Sequence, residues 1–438
     1  MASLEEQLLR NSFTPIFMGA AGGGSSPSYH FTLTGDSGYN SGHTIIEDSS
    51  GNLYQPISTD TANHIGPGFN KYTNAGVLLD TVALSPTVQN TYGSFVAVDG
   101  SDNVTFGGGF SVNSNHQQPL FTQVNSSGVI QWQKYYGTNY TGFRGAVVDS
   151  SNNIYFAGFS NSNGVPAAYT SYVVKINSSG VIQWQKYYGT SSDDRSAGIA
   201  IDSSDNIYIA GYDDGERGHV AKINSSGSLL WQRELGAVRL FDGIGVSPSG
   251  NVCTTGRIID SSNNATGLVI VYNTSGSLQW ARKITTGSNN LTMQRAAFDS
   301  AGNVYVSGTI YSSPYVGLFI KFNSSGTVQY QRTFANSGGN AYTPSITIDG
   351  NDDMLMGGGT AFAGAGSTDI ITARFPNDGS GLGTYGGLTY ANASYTVAST
   401  STGDTAGNQS FGNITKSATN HTLALYTVNY GQSSVSVG

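Results

Sequence analysis

The segment Val124-Asn-Ser-Ser-Gly-Val-Ile-Gln-Trp-Gln-Lys-Tyr-Tyr-Gly-Thr138 returns almost letter for letter as Ile176 to Thr190. Its Asn-Ser-Ser-Gly turn, in exact or altered form, occurs seven times at intervals of about fifty residues. The seven turns begin at Asn74, Asn125, Asn177, Asn224, Asn273, Asn323 and Asn377. A repeat of this length, built from short alternating strands, is typical of sheets arranged around an axis.

A second motif alternates with these turns and completes the repeating unit. It is an apolar stretch ending in Asp, a small polar turn, Asn and a β-rich run ending near Gly, as in Ile201 to Gly211. The motif also occurs seven times, although Ser247-Pro248 replaces the Asp in the fifth unit and leaves the form of that turn open. Each half of the unit supplies two runs rich in Val, Ile, Tyr, Trp and Thr, bounded by turn residues.

Four strands in each of seven units predict an all-β, seven-bladed β-propeller of four-stranded antiparallel blades. A β-helix has much shorter repeats, and a β-sandwich does not repeat internally at this length. Tyr29 to Thr34 has the spacing of a fourth strand with no blade before it, so we expect it to close the ring in the seventh blade. The competing strand is Gly383 to Tyr390, which follows the last hairpin directly.

The propeller is predicted for residues 28–387, with a different segment at each end. Residues 1–27 are interpreted as an apolar anchor peptide followed by a Gly/Ser tether, or alternatively as a disordered tail. Glu5 and Glu6 occupy the place where a secretory signal carries positive charge. The proposed anchor residues are Leu4, Leu8, Leu9, Phe13, Ile16 and Phe17. Residues 388–438 leave the repeat and predict a β appendage, an extended arm or a small assembly domain.

The two motifs also distinguish the two faces of the disc. Both kinds of short turn lie on one face, which we call the constant face, whereas the longer connections on the opposite, variable-loop face differ between blades. Variable loops on a rigid scaffold are where binding usually occurs, and aromatic rings beside acidic and amide groups suit carbohydrate. The binding-face candidates are His116, Tyr140, Phe143, Arg144, Asp193, Asp194, Arg195, Tyr212, Asp213, Asp214, Arg217 and His219. Solvated loop residues with local ion pairs are the alternative interpretation.

Catalytic and metal-binding patterns are weak, so we expect no enzyme activity, no metal and no cofactor. Asp193-Asp194 and the run Asp213 to Glu216 offer paired carboxylates, but glycoside hydrolysis requires a defined separation across a cleft. The six His residues have no ligand spacing on one element. The turn Asp99 to Asn103 resembles a calcium loop without the downstream bidentate Glu, and turn capping explains all seven copies. Cys253, the single cysteine, is expected to be buried.

Charge and hydropathy limit the partners. A net charge of −8 with only 19 Lys and Arg argues against nucleic acid, because contact with phosphates requires clustered cations. No apolar run approaches the length of a membrane span.

The unit Asp202-Ser-Ser-Asp-Asn-Ile-Tyr-Ile-Ala-Gly211, followed by Lys222-Ile-Asn-Ser-Ser-Gly-Ser-Leu-Leu-Trp-Gln232, resembles a bacterial family of seven-bladed β-propeller repeats over about residues 29–387. The passage from Arg374 to Gly386, with Leu388 to Thr396, looks like the tails that follow such repeats in structural proteins of marine tailed phages, particularly those that infect cyanobacteria. This second resemblance implies a structural or host-contact role in a virion, and it carries no catalytic residues.

Three classes of function follow from these observations. The first is a virion protein, made in the host cytoplasm, that docks to other virion proteins through residues 1–27 in a symmetric or homo-oligomeric assembly. It would display the propeller on the tail or capsid for assembly or for binding a host glycan. The second is a secreted bacterial carbohydrate-binding or adhesion propeller, and the third is a glycan-cleaving propeller enzyme. We expect the first.

Overall fold

A computed structural model describes the chain over most of the repeats and over short stretches of the C-terminal segment. The described ranges are 30–34, 45–61, 64–84, 91–113, 116–136, 141–160, 169–189, 194–213, 217–235, 238–259, 264–336, 339–341, 345–360, 369–385, 388–400, 405–406, 410–413, 418–420, 425–427 and 432–436. Within these ranges the structure contains strands and turns but no helix, and thus no helix that could cross a membrane. The predicted anchor residues of 1–27 lie outside them.

The strands of the repeats follow one another in seven groups. β1 (His30–Thr34) precedes blade 1, which comprises β2 (Ile46–Glu47), β3 (Leu53–Thr61), β4 (His64–Tyr72) and β5 (Leu78–Leu84). Blade 2 comprises β6 (Thr91–Val98), β7 (Val104–Asn113), β8 (His116–Val124) and β9 (Ile130–Tyr136). Blade 3 comprises β10 (Thr141–Val148), β11 (Ile154–Ser160), β12 (Thr170–Ile176) and β13 (Ile182–Gly189). Blade 4 comprises β14 (Asp194–Ile201), β15 (Ile207–Asp213), β16 (Gly218–Ile223) and β17 (Leu229–Leu235).

The remaining blades and the C-terminal segment complete the chain. Blade 5 comprises β18 (Val238–Val246), β19 (Val252–Ile259), β20 (Ala265–Tyr272) and β21 (Leu278–Thr285). Blade 6 comprises β22 (Asn290–Phe298), β23 (Val304–Tyr311), β24 (Val316–Phe322) and β25 (Val328–Asn336), and blade 7 comprises β26 (Ser345–Ile348), β27 (Met354–Thr360) and β28 (Asp369–Phe375). The C-terminal segment supplies β29 (Gly383–Tyr385), β30 (Leu388–Asn392), β31 (Thr396–Ser399), β32 (Thr405–Ala406), β33 (Ser410–Asn413), β34 (Ala418–Asn420), β35 (Leu425–Thr427) and β36 (Gln432–Ser436).

The predicted fold, a seven-bladed β-propeller of four-stranded antiparallel blades, is confirmed. Within a blade the strands pair in sequence order, and the first strands of neighbouring blades lie against one another around the axis. The core therefore lies between blades. Ala157 and Val173 of blade 3, for example, pack with Ile207 and Ile209 of blade 4 as fully buried residues. Cys253 is buried in the same way on β19, as expected, and burial raises the pKa of its thiol.

The Asp turns of the constant face are closed by their own residues. In blade 3, Asp149 Oδ1 accepts the backbone N–H of Asn153 at 2.8 Å, and Lys175 Nζ lies 3.1 Å from Asp149 Oδ2. Burial raises the pKa of Asp149, but hydrogen bonds from Asn153, Lys175 and Tyr155 outweigh burial and hold the pKa below its usual value. In the fifth turn Ser247 Oγ replaces the carboxylate and accepts the Asn251 N–H at 2.9 Å, so this turn forms like the others.

Neighbouring turns of the constant face are joined from blade to blade. Ser150 Oγ of blade 3 donates to Asp205 Oδ2 of blade 4 at 2.7 Å, and Asp205 adopts the left-handed conformation with φ 60°. Asp102 of the turn that resembled a calcium loop accepts hydrogen bonds from Ser49, which lower the pKa of its carboxyl. Among the described residues, no group of three or more His, Cys, Asp or Glu is placed to hold a metal ion.

A tryptophan on each of the fourth strands β9, β13, β17 and β21 fixes that blade to the next. Trp231 Nε1 on β17 donates to the carbonyl of Thr274 at 3.0 Å, and its indole covers the turn of blade 5. Gly276 in that turn has φ +77°, and a Cβ built on it would lie 2.7 Å from Trp231 Cδ2. Trp132, Trp184 and Trp280 make the corresponding hydrogen bonds to Ser178, Ser225 and Ser324.

The N-terminal strand closes the ring, as the sequence predicted. β1 pairs antiparallel with β28, His30 standing opposite Arg374 and Thr34 opposite Ile370. The competing segment instead forms a hairpin, β29–β30, at the outer edge of blade 6. Arg374, fully buried, joins the first and last blades through ion pairs with Asp349 and Glu47.

The C-terminal strands run around the outside of the ring as an extended arm, which is one of the three forms expected for residues 388–438. β30 to β35 pair antiparallel with the fourth strands of blades 6, 5, 4, 3, 2 and 1 in that order, and β36 pairs with β1 of blade 7. Every blade thus gains a further strand at its outer edge. β31 to β35 cover the ends of the fourth strands that lie near the variable-loop face, as in the pairing of Thr285 with Thr396.

Candidate functional site

The described part of the variable-loop face carries a stacked group of cations and rings where blades 3 and 4 meet. The group consists of Arg144, Phe159, Tyr169 and Arg195, and we call it the Arg–aromatic cluster. The guanidinium carbons of Arg144 and Arg195 lie 5.6 and 5.5 Å from the centroid of the Phe159 ring. Arg195 also lies 4.7 Å from the Tyr169 ring, which meets Phe159 edge-on at 5.7 Å.

The local backbone explains why these side chains meet. Arg144 is the extra residue of a β-bulge on β10, where Phe143 pairs with Gly158 and Gly145 with Ala157. A bulge redirects a side chain out of the regular alternation of a strand, and Arg144 is exposed. Gly142, opposite Phe159, makes room for the ring, because a Cβ there would lie 2.9 Å from Phe159 Cζ. The Asp194 N–H donates to the Tyr169 carbonyl at 2.9 Å and ties blade 3 to blade 4 beneath Arg195.

The two guanidinium groups of this cluster are free of protein partners within the described residues. Neither Arg144 nor Arg195 forms a hydrogen bond or an ion pair through its side chain there. A cation–π contact uses the charge of a guanidinium but none of its N–H groups as hydrogen-bond donors to the protein, so these donors stay available. The cluster therefore presents two neighbouring cations at the inner end of the variable-loop face.

Behind the Arg–aromatic cluster lies a set of buried polar groups between blades 3 and 4, which we call the buried polar cluster. It consists of Tyr188, Asp194, Asp213 and His219, each no more than 1% exposed. The His219 ring meets the Tyr188 ring edge-on at 5.0 Å, and Asp194 stands opposite Asp213 in the pairing of β14 with β15. Arg217, exposed at the surface, covers Asp213 with an ion pair of 2.6 Å and also binds Glu234 at 3.1 Å.

Burial controls the protonation of this second cluster. Desolvation lowers the pKa of His219 to about 4, although the charge of Asp213 acts in the opposite direction. Both ring nitrogens of His219 are buried without a hydrogen-bond partner in the described structure. Burial likewise raises the pKa of Tyr188, with Asp194 and Glu234 adding to the shift. At neutral pH the cluster holds a neutral imidazole and a neutral phenol that no external ligand can touch.

The structure corrects several of the predicted binding residues. Phe143 is 3% exposed and belongs to an aromatic core with Phe121 and Phe156, so its ring is not a binding surface. Asp194, Asp213 and His219 are buried because the adjoining blade covers the strand faces on which they lie. Burial of this kind depends on contacts between blades, which the alternation of a single strand does not reveal.

The remaining predicted residues divide into two groups. Arg144, Arg195, Tyr212 and Arg217 retain exposed or partly exposed side chains on the variable-loop face, and Tyr212 stands opposite Arg195 in the pairing of β14 with β15. Tyr140, Asp193 and Asp214 lie outside the described residues, and for His116 only the backbone, at the start of β8, is described.

Two residues of the Arg–aromatic cluster, Phe159 and Tyr169, were not among the predicted binding residues. Both lie at ends of strands that flank a long connection, with Phe159 near the end of β11 and Tyr169 just before β12. An aromatic residue on each side of a variable loop is the signal that would have indicated them. A second aromatic pair on this face, Tyr311 and Tyr315 of blade 6, meets edge-on at 5.2 Å, and Tyr311 is 38% exposed.

Comparison with known proteins supports the same architecture. A family model described as "Beta-propeller repeat" matches residues 183–215, which run from β13 through β15. No curated protein sequence matches the chain. The match covers a single repeat and agrees with the seven blades that the strand pairing shows.

Solved structures of similar fold include enzymes. Polysaccharide lyase Uly1 is 8% identical with a TM-score of 0.50, and the match covers 77% of this chain and 90% of that chain. An ulvan lyase of polysaccharide lyase family PL25, bound to -[GlcA(1-4)Rha3S]-, is 10% identical with a TM-score of 0.48, and the match covers 80% and 96% of the two chains. A gluconolactonase from Xanthomonas campestris is 11% identical with a TM-score of 0.35, over 68% and 90%. At these identities the likeness concerns the fold alone.

Proposed function

We propose that the chain is a non-enzymatic structural protein of a tailed-phage virion. It displays the propeller on the tail or capsid, with the variable-loop face in contact with a host-surface glycan. The observation that carries the proposal is the difference between the two faces. Side chains of the constant face are used in bonds between blades, whereas Arg144 and Arg195 on the opposite face lie over an aromatic ring and are unpaired within the described residues.

The ring itself suits a display role. Interlocked turns join the blades on the constant face, β1 closes the ring in blade 7, and the arm runs along the outer edges. Such a body offers few free strand edges, and free edges are the usual route to unwanted association. The resemblance of residues 374–396 to the segments that follow such repeats in proteins of marine tailed phages supports the virion setting. In this proposal other virion proteins are the partners of residues 1–27, and no nucleic acid or membrane span is involved.

The non-enzymatic part of the proposal rests on the buried polar cluster. A general acid or base must approach the substrate within hydrogen-bond distance. His219, Tyr188 and Asp194 are each 0% exposed beneath their neighbours, so these groups do not meet that requirement.

Labelling of purified particles tests the virion setting. Antibodies against the recombinant propeller are expected to bind particles purified from the producing lysate, as seen by immunogold electron microscopy, and serum absorbed with the propeller serves as the control. Full-length protein that is free in the lysate and absent from the particles would contradict the proposal. In that case a carbohydrate-binding propeller outside a virion becomes the better account, because the Arg–aromatic cluster does not depend on a particle.

A further inference from the structure

The arginines of the constant part of the ring are used to hold the ring together. Arg233, Arg282 and Arg332 each donate through Nε to the carbonyl of a turn glycine in the following blade, at 2.7 to 2.8 Å. Arg374 pairs with Asp349. Arg217, on the variable-loop face, is also paired, with Asp213 and Glu234 of its own blade. In these cases a carbonyl or carboxylate of the protein accepts hydrogen bonds from the guanidinium.

Arg144 and Arg195 differ from that pattern. Both guanidinium groups lie over the Phe159 ring, and that of Arg195 also lies over the Tyr169 ring. Neither group donates to a protein acceptor within the described residues. Because both lie within 5.6 Å of the centroid of the same ring, their guanidinium carbons are at most about 11 Å apart. Both sit on innermost strands, β10 and β14, near the ends that reach the variable-loop face.

The chemistry of the pair selects for anions. A stacked guanidinium presents a planar fork of N–H groups that matches a carboxylate or sulfate in a bidentate manner. The carboxylates behind the pair do not compete, since Asp194 is fully buried and Asp213 is already paired with Arg217. In a chain of net charge −8, two unpaired cations side by side form a local positive site.

We infer that the Arg–aromatic cluster binds the carboxylate or sulfate groups of an acidic polysaccharide, Arg144 and Arg195 each contacting an anionic group along the saccharide chain. The inference rests on the proposed glycan contact of the variable-loop face and names its ligand class. A saccharide is favoured over an acidic peptide because Tyr212, partly exposed, stands opposite Arg195 and adds an aromatic face with a hydroxyl group beside the cations.

The test is a binding titration of the full chain with matched pairs of probes. Oligogalacturonate is compared with its methyl ester, and dextran sulfate with dextran, so that the neutral member of each pair keeps the sugar backbone but lacks the anionic group. Oligoglutamate tests whether an acidic peptide binds instead of a saccharide. The variants are Arg144→Gln and Arg195→Gln, singly and together. Lys283→Ala is the control, because it removes a positive charge from the fourth strand of blade 5, away from the Arg–aromatic cluster. Thermal unfolding of each variant establishes that the fold is intact.

We expect at least one acidic saccharide to bind and its neutral counterpart not to bind. Each Gln variant is expected to weaken binding about tenfold, as loss of a charged hydrogen bond does, while Lys283→Ala leaves it unchanged. Binding of oligogalacturonate indicates a carboxylate ligand, and binding of dextran sulfate indicates a sulfate ligand.

Three results would overturn the inference. Equal binding of neutral and acidic saccharides, unaffected by the Gln variants, leaves the proposed glycan contact standing but removes the anion site. Oligoglutamate that binds as tightly as the saccharides, with the same dependence on arginine, assigns the site to an acidic protein segment. The absence of binding to every probe by folded protein refutes the ligand class, whereas the virion setting is judged separately by particle labelling.

Discussion

Gly276 shows how a single position serves both the turn and the joint between blades. Its φ of +77° favours glycine, and Trp231 of the preceding blade occupies the space that a side chain would need. Gly128 holds the equivalent place in blade 2 with φ +76°, yet nothing lies within 4 Å of its Cβ position. The difference arises because Asp80 stands in blade 1 where the fourth strands of blades 2 to 6 carry tryptophan or tyrosine.

These two glycines form a matched pair for mutation. Gly128→Ala meets only the left-handed backbone penalty and is expected to cost about 1 kcal/mol of unfolding free energy. Gly276→Ala also forces the Trp231 indole off its turn and is expected to cost a further 1–3 kcal/mol, roughly what overpacking costs in a core. Urea unfolding of both variants measures the difference. Equal destabilisation by the two changes would show that the indole does not hold the joint.

His219 makes the stability of the ring sensitive to mild acid. Its pKa is about 4 in the folded chain, against an ordinary value of 6.5, because of burial. As pH falls from about 6.5 to 4, His219 is protonated in the unfolded chain but stays neutral in the folded chain. The free energy of unfolding therefore decreases by on the order of 3 kcal/mol. Above pH 6.5 both states are neutral and this loss is absent.

Replacing His219 by Leu removes this sensitivity. The two buried nitrogens have no hydrogen-bond partner in the described structure, so His219→Leu is expected to leave stability at pH 7 unchanged or slightly higher. Between pH 6.5 and 4 the variant is expected to lose less stability than the natural chain. Urea midpoints at a series of pH values measure both curves, and parallel curves would contradict the burial of a neutral imidazole.

The carboxylate of Asp149 affects stability in a lower pH range. Its pKa lies below the ordinary value of 3.8 in the folded chain, so its ionised form stabilises the fold, and this stabilisation is lost as pH falls below about 3.8.

At the scale of elements, the C-terminal arm changes what each blade presents to solvent. An uncovered outer strand exposes a row of N–H and C=O groups that invites pairing with another chain. β32 to β36 cover part of this edge in blades 4, 3, 2, 1 and 7. These strands are two to five residues long, so each one covers only a small part of an edge. The arm protects the edges because such strands recur around the ring.

Deletion of residues 401–438 tests the role of the arm. The shortened chain is expected to unfold at a lower temperature and to show a larger apparent mass than the full chain, because five outer edges become available for pairing. Light scattering coupled to size-exclusion chromatography measures the mass, and deletion of residues 437–438 alone is the control. An unchanged mass and melting temperature would mean that the arm does not protect the edges.

At the scale of the whole molecule, closure depends on one strand from the far end of the chain. β1 lies between β28 and β36, and Thr32 stands opposite Thr372 on one side and Ser434 on the other. Thr32→Pro removes a ladder hydrogen bond in the middle of a sheet and is expected to destabilise the ring by about 3 kcal/mol or more. Thr32→Val, which retains the N–H, is the control. Equal thermal unfolding of the two variants would argue against closure by β1.

Features that depend on local sequence were predicted, whereas contacts between segments that are distant in the sequence were mostly missed. Seven blades, two faces and the closing strand followed from turn residues and spacings such as Gly35 to Asp48. The path of the arm did not, because β36 pairs with a strand about 400 residues away and residues 388–438 carry no repeat. The burial of Asp194 and His219 was missed for the same reason, since the covering side chains belong to another blade.

The division between a constant face that builds the ring and a variable-loop face that meets the ligand is the central claim, and hydrogen–deuterium exchange tests it most directly. Full-length protein is measured with and without an excess of the acidic saccharide that binds in the titration. We predict slower exchange in peptides that cover residues 141–146 and 194–197, and unchanged exchange in the constant-face turns 149–153 and 177–181. Protection of those turns, with residues 141–146 and 194–197 unaffected, would contradict the account.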